Sequence, residues 1–462
     1  MKKIRSFCLL LVFVLLWNCS YVSAVTATDS CMTLDAQSAL AGNNQLLPTA
    51  QAVILYAPDS ETMVYSWNPD VPLDPSGMNK IMTALLALEM GDPEAYVTVS
   101  STALNSVEVG AMSAGLKAGE ILTLRDLLFL MMVGSANDAA AVVAEHISGS
   151  QGAFVALMNQ RSIELGCTNT NFANPTGLSA EGQYSTARDL AKITATALKL
   201  DAFVELFSSV EYTVLPTENT KERKVVTTNY MMSDASVRDQ LDNRITGGKT
   251  GALSTTDRSL IATAEKDGQR YLSVVMGAKG TMTSDGSAVR TFGNFSETKL
   301  LLDHAFSQYS LHQLLSANKV LAQFQVHGGE NDLAASSRQA VSALMPNDMK
   351  AELITYRCVE ISEGLSAPVL KDDIVGTVEL WYGNICVAQS ELVALHDVRA
   401  EGTAAASLQP QAKVDKGVSP AFVACVLIIF GAVILVAVIA IVLRALHIAQ
   451  YRKRQKTRRR KR

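Results

Sequence analysis

Histidine is scarce in this chain of 462 residues: the six are scattered at His146, His304, His312, His327, His396 and His447, and none lies in a motif. A Ser-His-Asp triad, which needs an imidazole to carry the proton, is therefore not expected. No group of cysteines and histidines has metal-site spacing. Internal repeats are absent. Cysteine is also sparse. Of the seven, Cys8 and Cys19 lie near the N-terminus, Cys425 lies in an apolar run near the C-terminus, and Cys31, Cys167, Cys358 and Cys386 lie between. Sequence does not choose among the pairings of those four; Cys358 with Cys386 is one candidate, and buried free thiols are the alternative.

Positive charge is concentrated at the two ends. Three of the 40 Lys and Arg residues lie in residues 1–24 and ten in residues 444–462, so 27 remain between them against all 44 Asp and Glu. That strongly acidic middle is not a nucleic-acid binder. The start, Met1-Lys2-Lys3-Ile4-Arg5, is followed by an apolar run from Phe7 to Trp17 and by Val22-Ser23-Ala24. A basic start, a short apolar core and a small-x-small end make residues 1–24 a secretory signal. Residues 420–443 contain no charge, enough apolar length for one transmembrane helix. The ten basic residues beyond it mark residues 444–462 as a cytoplasmic tail, with anionic lipid headgroups as its natural contact. The expected placement is a single-pass cell-membrane protein whose ectodomain lies outside the cytoplasm.

Within the ectodomain, Val53-Ile54-Leu55-Tyr56 and Met63-Val64-Tyr65 read as a hairpin. Met78, Ile81, Met82, Leu85 and Leu88 fit a helix with one apolar face, with Asp74 and Ser76 as N-cap candidates and Gly91-Asp92-Pro93 as its end. Leu122 to Met132 reads as a second helix, opened by Thr123 with Asp126 three residues on. Gly134 to Asp138 breaks it, and Ala139 to His146 is helical again. Leu260–Ala264 and Tyr271–Met276 look like core strands, with Lys249-Thr250-Gly251 just ahead of them. Beyond about residue 310, Val320–Val326, Ala351–Val359 and Ile374–Tyr382 alternate as strands do. This gives a main domain at 25–310, a β-rich domain at 311–400 and a linker at 401–419.

Three short motifs carry chemistry together: Lys80 at the start of the first helix, Ser135-Ala136-Asn137 between two helices, and Lys249-Thr250-Gly251 before a strand pair. Each has an ordinary reading alone. Lys80 suits a solvated helix face, Ser135 and Asn137 suit a cap, and Lys249 suits a turn. Their order and context suggest a serine acyl-transfer site, whose first motif is S-x-x-K. The serine itself is missing. Three residues before Lys80 stands Gly77, and the nearest hydroxyl, Ser76, is one residue too early. One residue on a helix is a turn of about 100° and a rise of about 1.5 Å.

Gln51 to Glu89, Leu122 to Ala141, Asn171-Phe172-Ala173-Asn174-Pro175-Thr176-Gly177-Leu178, Tyr184-Ser185-Thr186-Ala187-Arg188-Asp189, Lys249-Thr250-Gly251 and Val375 to Leu380 together resemble the penicillin-binding D-alanyl-D-alanine carboxypeptidases of bacterial cell walls. The resemblance covers nearly the whole ectodomain. It implies an α/β fold of the β-lactamase/transpeptidase-like kind, an antiparallel sheet flanked by helices with a helical subdomain, followed by a small β-rich domain and a C-terminal membrane anchor. The substrate would be the D-Ala-D-Ala end of a peptidoglycan stem peptide, β-lactams would be second ligands, and no cofactor is implied. Lys80 would take the nucleophile's proton, Ser135 would relay protons and Asn137 would hold the substrate amide. Lys249 and Thr250, with Gly251 beside them, would bind the terminal carboxylate, and the backbone N–H groups of Gly77 and Ala252 would form the oxyanion hole. Arg258 and Arg290 are candidates for assisting the carboxylate.

Gly77 leaves three readings open. The chain has lost acylation and binds stem peptides; it is an active carboxypeptidase using Ser76 in a displaced geometry; or it is a structural or sensing membrane protein that uses the fold without the pocket. Restoring the serine by Gly77→Ser is expected to gain penicillin acylation.

Overall fold

The apolar run around Val53 forms a strand buried on both faces. β1 spans Ala52–Ala57 and pairs antiparallel with β2, Thr62–Trp67. The computed structural model describes residues 46, 48–216, 222–233, 240–361 and 364–401. The expected signal at 1–24, the span at 420–443, the tail at 444–462 and all but the first residue of the linker lie outside the described residues. Among the described residues no helix is long and apolar enough to cross a membrane.

After the hairpin, a single 3-10 turn at Ser76–Met78 leads into helix α1, Asn79–Met90. Neither Asp74 nor Ser76 caps α1 with its side chain. Asp74 instead accepts from the Ser76 N–H at 2.8 Å and so fixes the 3-10 turn. Nor does α1 have one apolar face: every residue from Asn79 to Ala87 is buried, because the helix lies inside the domain. Helix α2, Leu124–Met132, opens with the expected capping box, in which the Thr123 side chain accepts from Asp126 N–H and Asp126 answers to Thr123. Helix α3, Asn137–Ser148, follows after the Gly134–Ala136 break, and helix α4 is Ala187–Ala197.

Three long strands complete the main sheet. These are β3, Ile245–Ala252, β4, Asp257–Lys266, and β5, Gln269–Lys279. The order is β2-β1-β5-β4-β3, and every neighbouring pair is antiparallel. Lys249-Thr250-Gly251 precedes the β4–β5 pair as expected and is itself inside a strand, β3, which is the edge of the sheet. One large cluster, including Ile54, Met63, Ile81, Leu85, Phe129, Ala140, Phe154, Ile193 and Val274, buries one sheet face under the helices.

Helix α5, Gly293–Gln308, covers the other face and passes without a loop into β6, Tyr309–Leu315. The strands that follow β6 are β7, Ala322–Phe324, β8, Leu333–Ser337, β9, Val341–Pro346, β10, Ile354–Glu360, β11, Ile374–Tyr382, and β12, Ile385–Ala394. Five form a sheet of order β7-β8-β12-β11-β10, and β6 pairs with β9. This is the β-rich domain. Cys358 is a free thiol, so the candidate pair with Cys386 does not form.

Candidate active site

Three polar residues at the start of α1 would be expensive inside a core unless each found a partner. Asn79, Lys80 and Thr83 find theirs on one segment. Asn79 Nδ2 donates to Asn174 O at 3.2 Å and to Gln183 Oε1 at 2.8 Å, Thr83 Oγ1 donates to Pro175 O at 2.8 Å, and Lys80 Nζ donates to Thr176 O. The carbonyls of three consecutive residues thus face the stripe. Asn174 builds the turn that presents them: its Oδ1 accepts from Thr176 N–H at 3.1 Å, Thr176 Oγ1 at 2.8 Å and Gly177 N–H at 2.7 Å. Such side-chain-to-backbone bonds are the usual work of Asn in a turn. Gly177 is required there: its φ is +78°, and a Cβ would stand 1.9 Å from the Ser76 carbonyl oxygen.

Lys80 Nζ also donates to Asn137 Oδ1 at 2.8 Å, which joins the first two motifs. Asn137 starts α3, and its backbone N–H bonds to Met112 O at 2.8 Å. The neighbouring Asp138 is buried and gathers the 113–116 loop, accepting from Ser113 Oγ at 2.6 Å, Ala114 N–H at 2.9 Å and Leu116 N–H at 3.0 Å. Ser135 has φ +56°, a left-handed conformation uncommon for a residue with a side chain. Its Oγ accepts from Lys249 Nζ at 2.9 Å, which joins the second motif to the third. Thr250 Oγ1 is 2.5 Å from Thr228 Oγ1.

Two lysines are thus buried in one site, Lys80 at 2 % and Lys249 at 1 % exposure. Burial disfavours the charged amine. It pushes Lys80 well below its usual value, the positive charge of Lys249 adds to the effect and Asp138 opposes it. Burial alone lowers Lys249 to about 7. Burial thus favours the neutral amine at both positions, the state a base for a hydroxyl nucleophile needs.

No side chain stands where that nucleophile belongs. A Cβ at Gly77 would lie 3.7 Å from Ser135 Oγ but only 2.9 Å from the Thr250 carbonyl oxygen. The edge strand β3 lies against the 3-10 turn, so close that a Cβ at position 77 would crowd the Thr250 carbonyl. Gly77→Ser therefore cannot act as a simple restoration, because β3 must shift to admit the side chain. Ser76, at φ +52°, turns its hydroxyl to β3 and not to a lysine: Oγ accepts from Ala252 N–H at 2.8 Å and donates to Ala252 O at 3.0 Å. Of the two arginine candidates, Arg258 pairs with Ala252 across β3 and β4 and holds its guanidinium 5.2 Å from the Phe292 ring centroid. Arg290 is exposed on a short strand, Val289–Thr291.

A family model described as D-alanyl-D-alanine carboxypeptidase matches residues 41–280, and one described as the penicillin-binding protein 5 C-terminal domain matches residues 309–400. The chain belongs to the D-alanyl-D-alanine carboxypeptidase family. It is 30 % identical over 369 residues to D-alanyl-D-alanine carboxypeptidase DacF of Bacillus subtilis, covering 78 % of this chain and 88 % of the relative. It is 28 % identical over 390 residues to DacA of Escherichia coli, covering 82 % and 89 %. The crystal structure of penicillin binding protein 5 from Haemophilus influenzae superposes with a TM-score of 0.61 at 28 % identity, covering 78 % of this chain and 100 % of that one. Within the carboxypeptidase frame, the Tyr184–Asp189 signature is scaffolding. Arg188 grips Asp70 with two bonds, at 2.6 and 3.0 Å, and Asp189 accepts from Asn169 N–H and Thr170 Oγ1. Sequence reasoning assigned no role to Asp138 or to the carbonyl of Thr176. The Asn-Pro-Thr-Gly run was the visible signal for the turn.

Proposed function

We propose that the chain recognises the D-Ala-D-Ala end of peptidoglycan stem peptides at this site and has lost the acylation step. The observation that carries this reading is Gly77, three residues before a buried Lys80 that keeps its hydrogen bonds to Asn137 and Thr176. In this reading Lys249 and Thr250 bind the terminal carboxylate, Asn137 holds the amide, and Lys80 and Ser135 keep the pocket's proton balance without a bond to form. Two desolvated lysines are a costly way to build a mere scaffold, which speaks against a protein that ignores its pocket. The use of Ser76 as a displaced nucleophile finds no support in its hydrogen bonds, which end on Ala252. The reading includes a single-pass anchor at 420–443, with the site outside the cytoplasm and the basic tail within.

The test is labelling of the purified full-length protein with a fluorescent penicillin, read after denaturation, beside calorimetric titration with an acetylated L-Lys-D-Ala-D-Ala tripeptide. The expected result is no covalent band and measurable, reversible tripeptide binding. A band that maps to Ser76 would establish the active carboxypeptidase instead.

A further inference from the structure

The backbone of β3 is the free edge of the main sheet, and a free edge is a template for an extended peptide. At Ala252 that edge is occupied. Both polar backbone groups of the residue point away from β4 and bond to one side chain, the Ser76 hydroxyl, at 2.8 and 3.0 Å. Gly251 is packed under the same serine: a Cβ on it would stand 3.2 Å from the Ser76 Cβ. Gly77 lets Thr250 O approach to within 2.9 Å of the missing Cβ position. Three residues therefore act as one fitting, with Gly77 permitting closure, Gly251 allowing contact and Ser76 fastening it.

We propose that Ser76 is an intramolecular latch that occupies the pairing edge of β3, so that a peptide ligand enters only by displacing its hydroxyl from Ala252. The occupant it competes with is an extended peptide ending in a carboxylate, which would take the Ala252 N–H and C=O on the strand edge. This inference rests on the peptide-recognition reading for its ligand, but the latch itself is measurable without one. A latched groove binds weakly at rest and tightens when the hydroxyl is removed, the reverse of what a serine that contacts ligand would do.

The experiment is amide hydrogen exchange at Ala252 in the full-length protein, as wild type, Ser76→Ala and Ser76→Gly. The glycine variant suits the left-handed backbone at this position, so it removes the hydroxyl without the turn strain that alanine brings. The expected result is exchange at Ala252 at least roughly tenfold faster in both variants, with β4 and β5 amides unchanged, and tripeptide affinity roughly three- to tenfold tighter, as befits loss of one or two competing hydrogen bonds. Unchanged exchange at Ala252, or equal or weaker affinity in both variants, overturns the latch. Faster exchange with no tripeptide binding by any of the three proteins keeps the latch and overturns the recognition reading.

Discussion

On the amine side of the site, Lys80, Asn137 and Ser135 from the helical part and Lys249 from β3 are buried and joined by hydrogen bonds of 2.8–2.9 Å in two pairs. On the side where the 3-10 turn meets the end of β3, the position that the S-x-x-K pattern gives to a nucleophile is bare, and the Ala252 N–H is taken by Ser76. The two sides have the same parents in sequence, motifs of a few residues, yet one is complete and the other is closed. In the proposed reading, the difference separates proton handling from bond formation. Asn137, Asp138 and the Asn174 turn hold the first in place without any help from residue 77.

The comparison can be broken or sharpened by substitution. Gly177→Ala should have the largest effect, about 4 kcal/mol of lost stability, from a left-handed backbone and an overpacked contact with Ser76; denaturant unfolding measures it, and a loss below about 1 kcal/mol would show the two sides to be uncoupled there. Next is Lys249→Met. In the wild type the folded chain holds this lysine's proton more weakly than the unfolded chain does, between about 7 and its usual 10.5. The unfolded state thus binds more protons in that window, and stability rises with pH across it. Removing the amine should flatten that slope, so the variant gains on wild type by about 3 kcal/mol at pH 7 compared with its standing at pH 10, at about 1.4 kcal/mol per tenfold change in proton affinity. Parallel pH profiles of the two proteins would contradict the assignment.

Asp138→Ala should cost about 2 kcal/mol, because a buried charged acceptor leaves the Ser113, Ala114 and Leu116 donors unpartnered. Thermal unfolding reads the loss, and proteolysis within 111–116 reads the opened loop. The smallest effect belongs to Gly77→Ala. The added methyl meets Thr250 O and moves β3 outward at a cost of about 1 kcal/mol. Its signature is faster amide exchange at Ala252 with no penicillin labelling. Gly77→Ser should share that faster exchange and acquire slow labelling, and a Gly77→Ser protein with wild-type exchange would mean that β3 never closed on residue 77.

Much of the fold was legible because its signals are local. The hairpin at β1 and β2 and the Thr123–Asp126 capping box rest on neighbours in sequence. Helix α1 was legible in extent but not in depth: its pattern read as one apolar face, Lys80 alone suited a solvated one, and the carbonyls that make Asn79, Lys80 and Thr83 a core stripe come from residues more than 90 positions away. Strand β3 was missed because Gly247-Gly248-Lys249-Thr250-Gly251 has no strand pattern. Its glycines serve close approach instead, since a Cβ on Gly248 would stand 2.4 Å from Asn229 Nδ2 and one on Gly247 would stand 2.6 Å from Phe207. The site's lysines and its second motif were legible from type and order. The destination of the Ser76 hydroxyl was not, since it lies 176 residues along the chain.

The loop-free passage from α5 into β6 has a thermodynamic consequence. Val53, Leu55, Tyr65 and Tyr271 of the main domain share one buried cluster with Leu301 and Leu302 of α5 and with Ala343, Leu344, Leu380 and Leu392 of the β-rich domain. A chain cut after Gln308 would bare that apolar surface to water, so the β-rich domain is no detachable handle. Melting should be a single cooperative transition by calorimetry, in which the main and β-rich domains expose their shared apolar surface together and the heat capacity rises in one step.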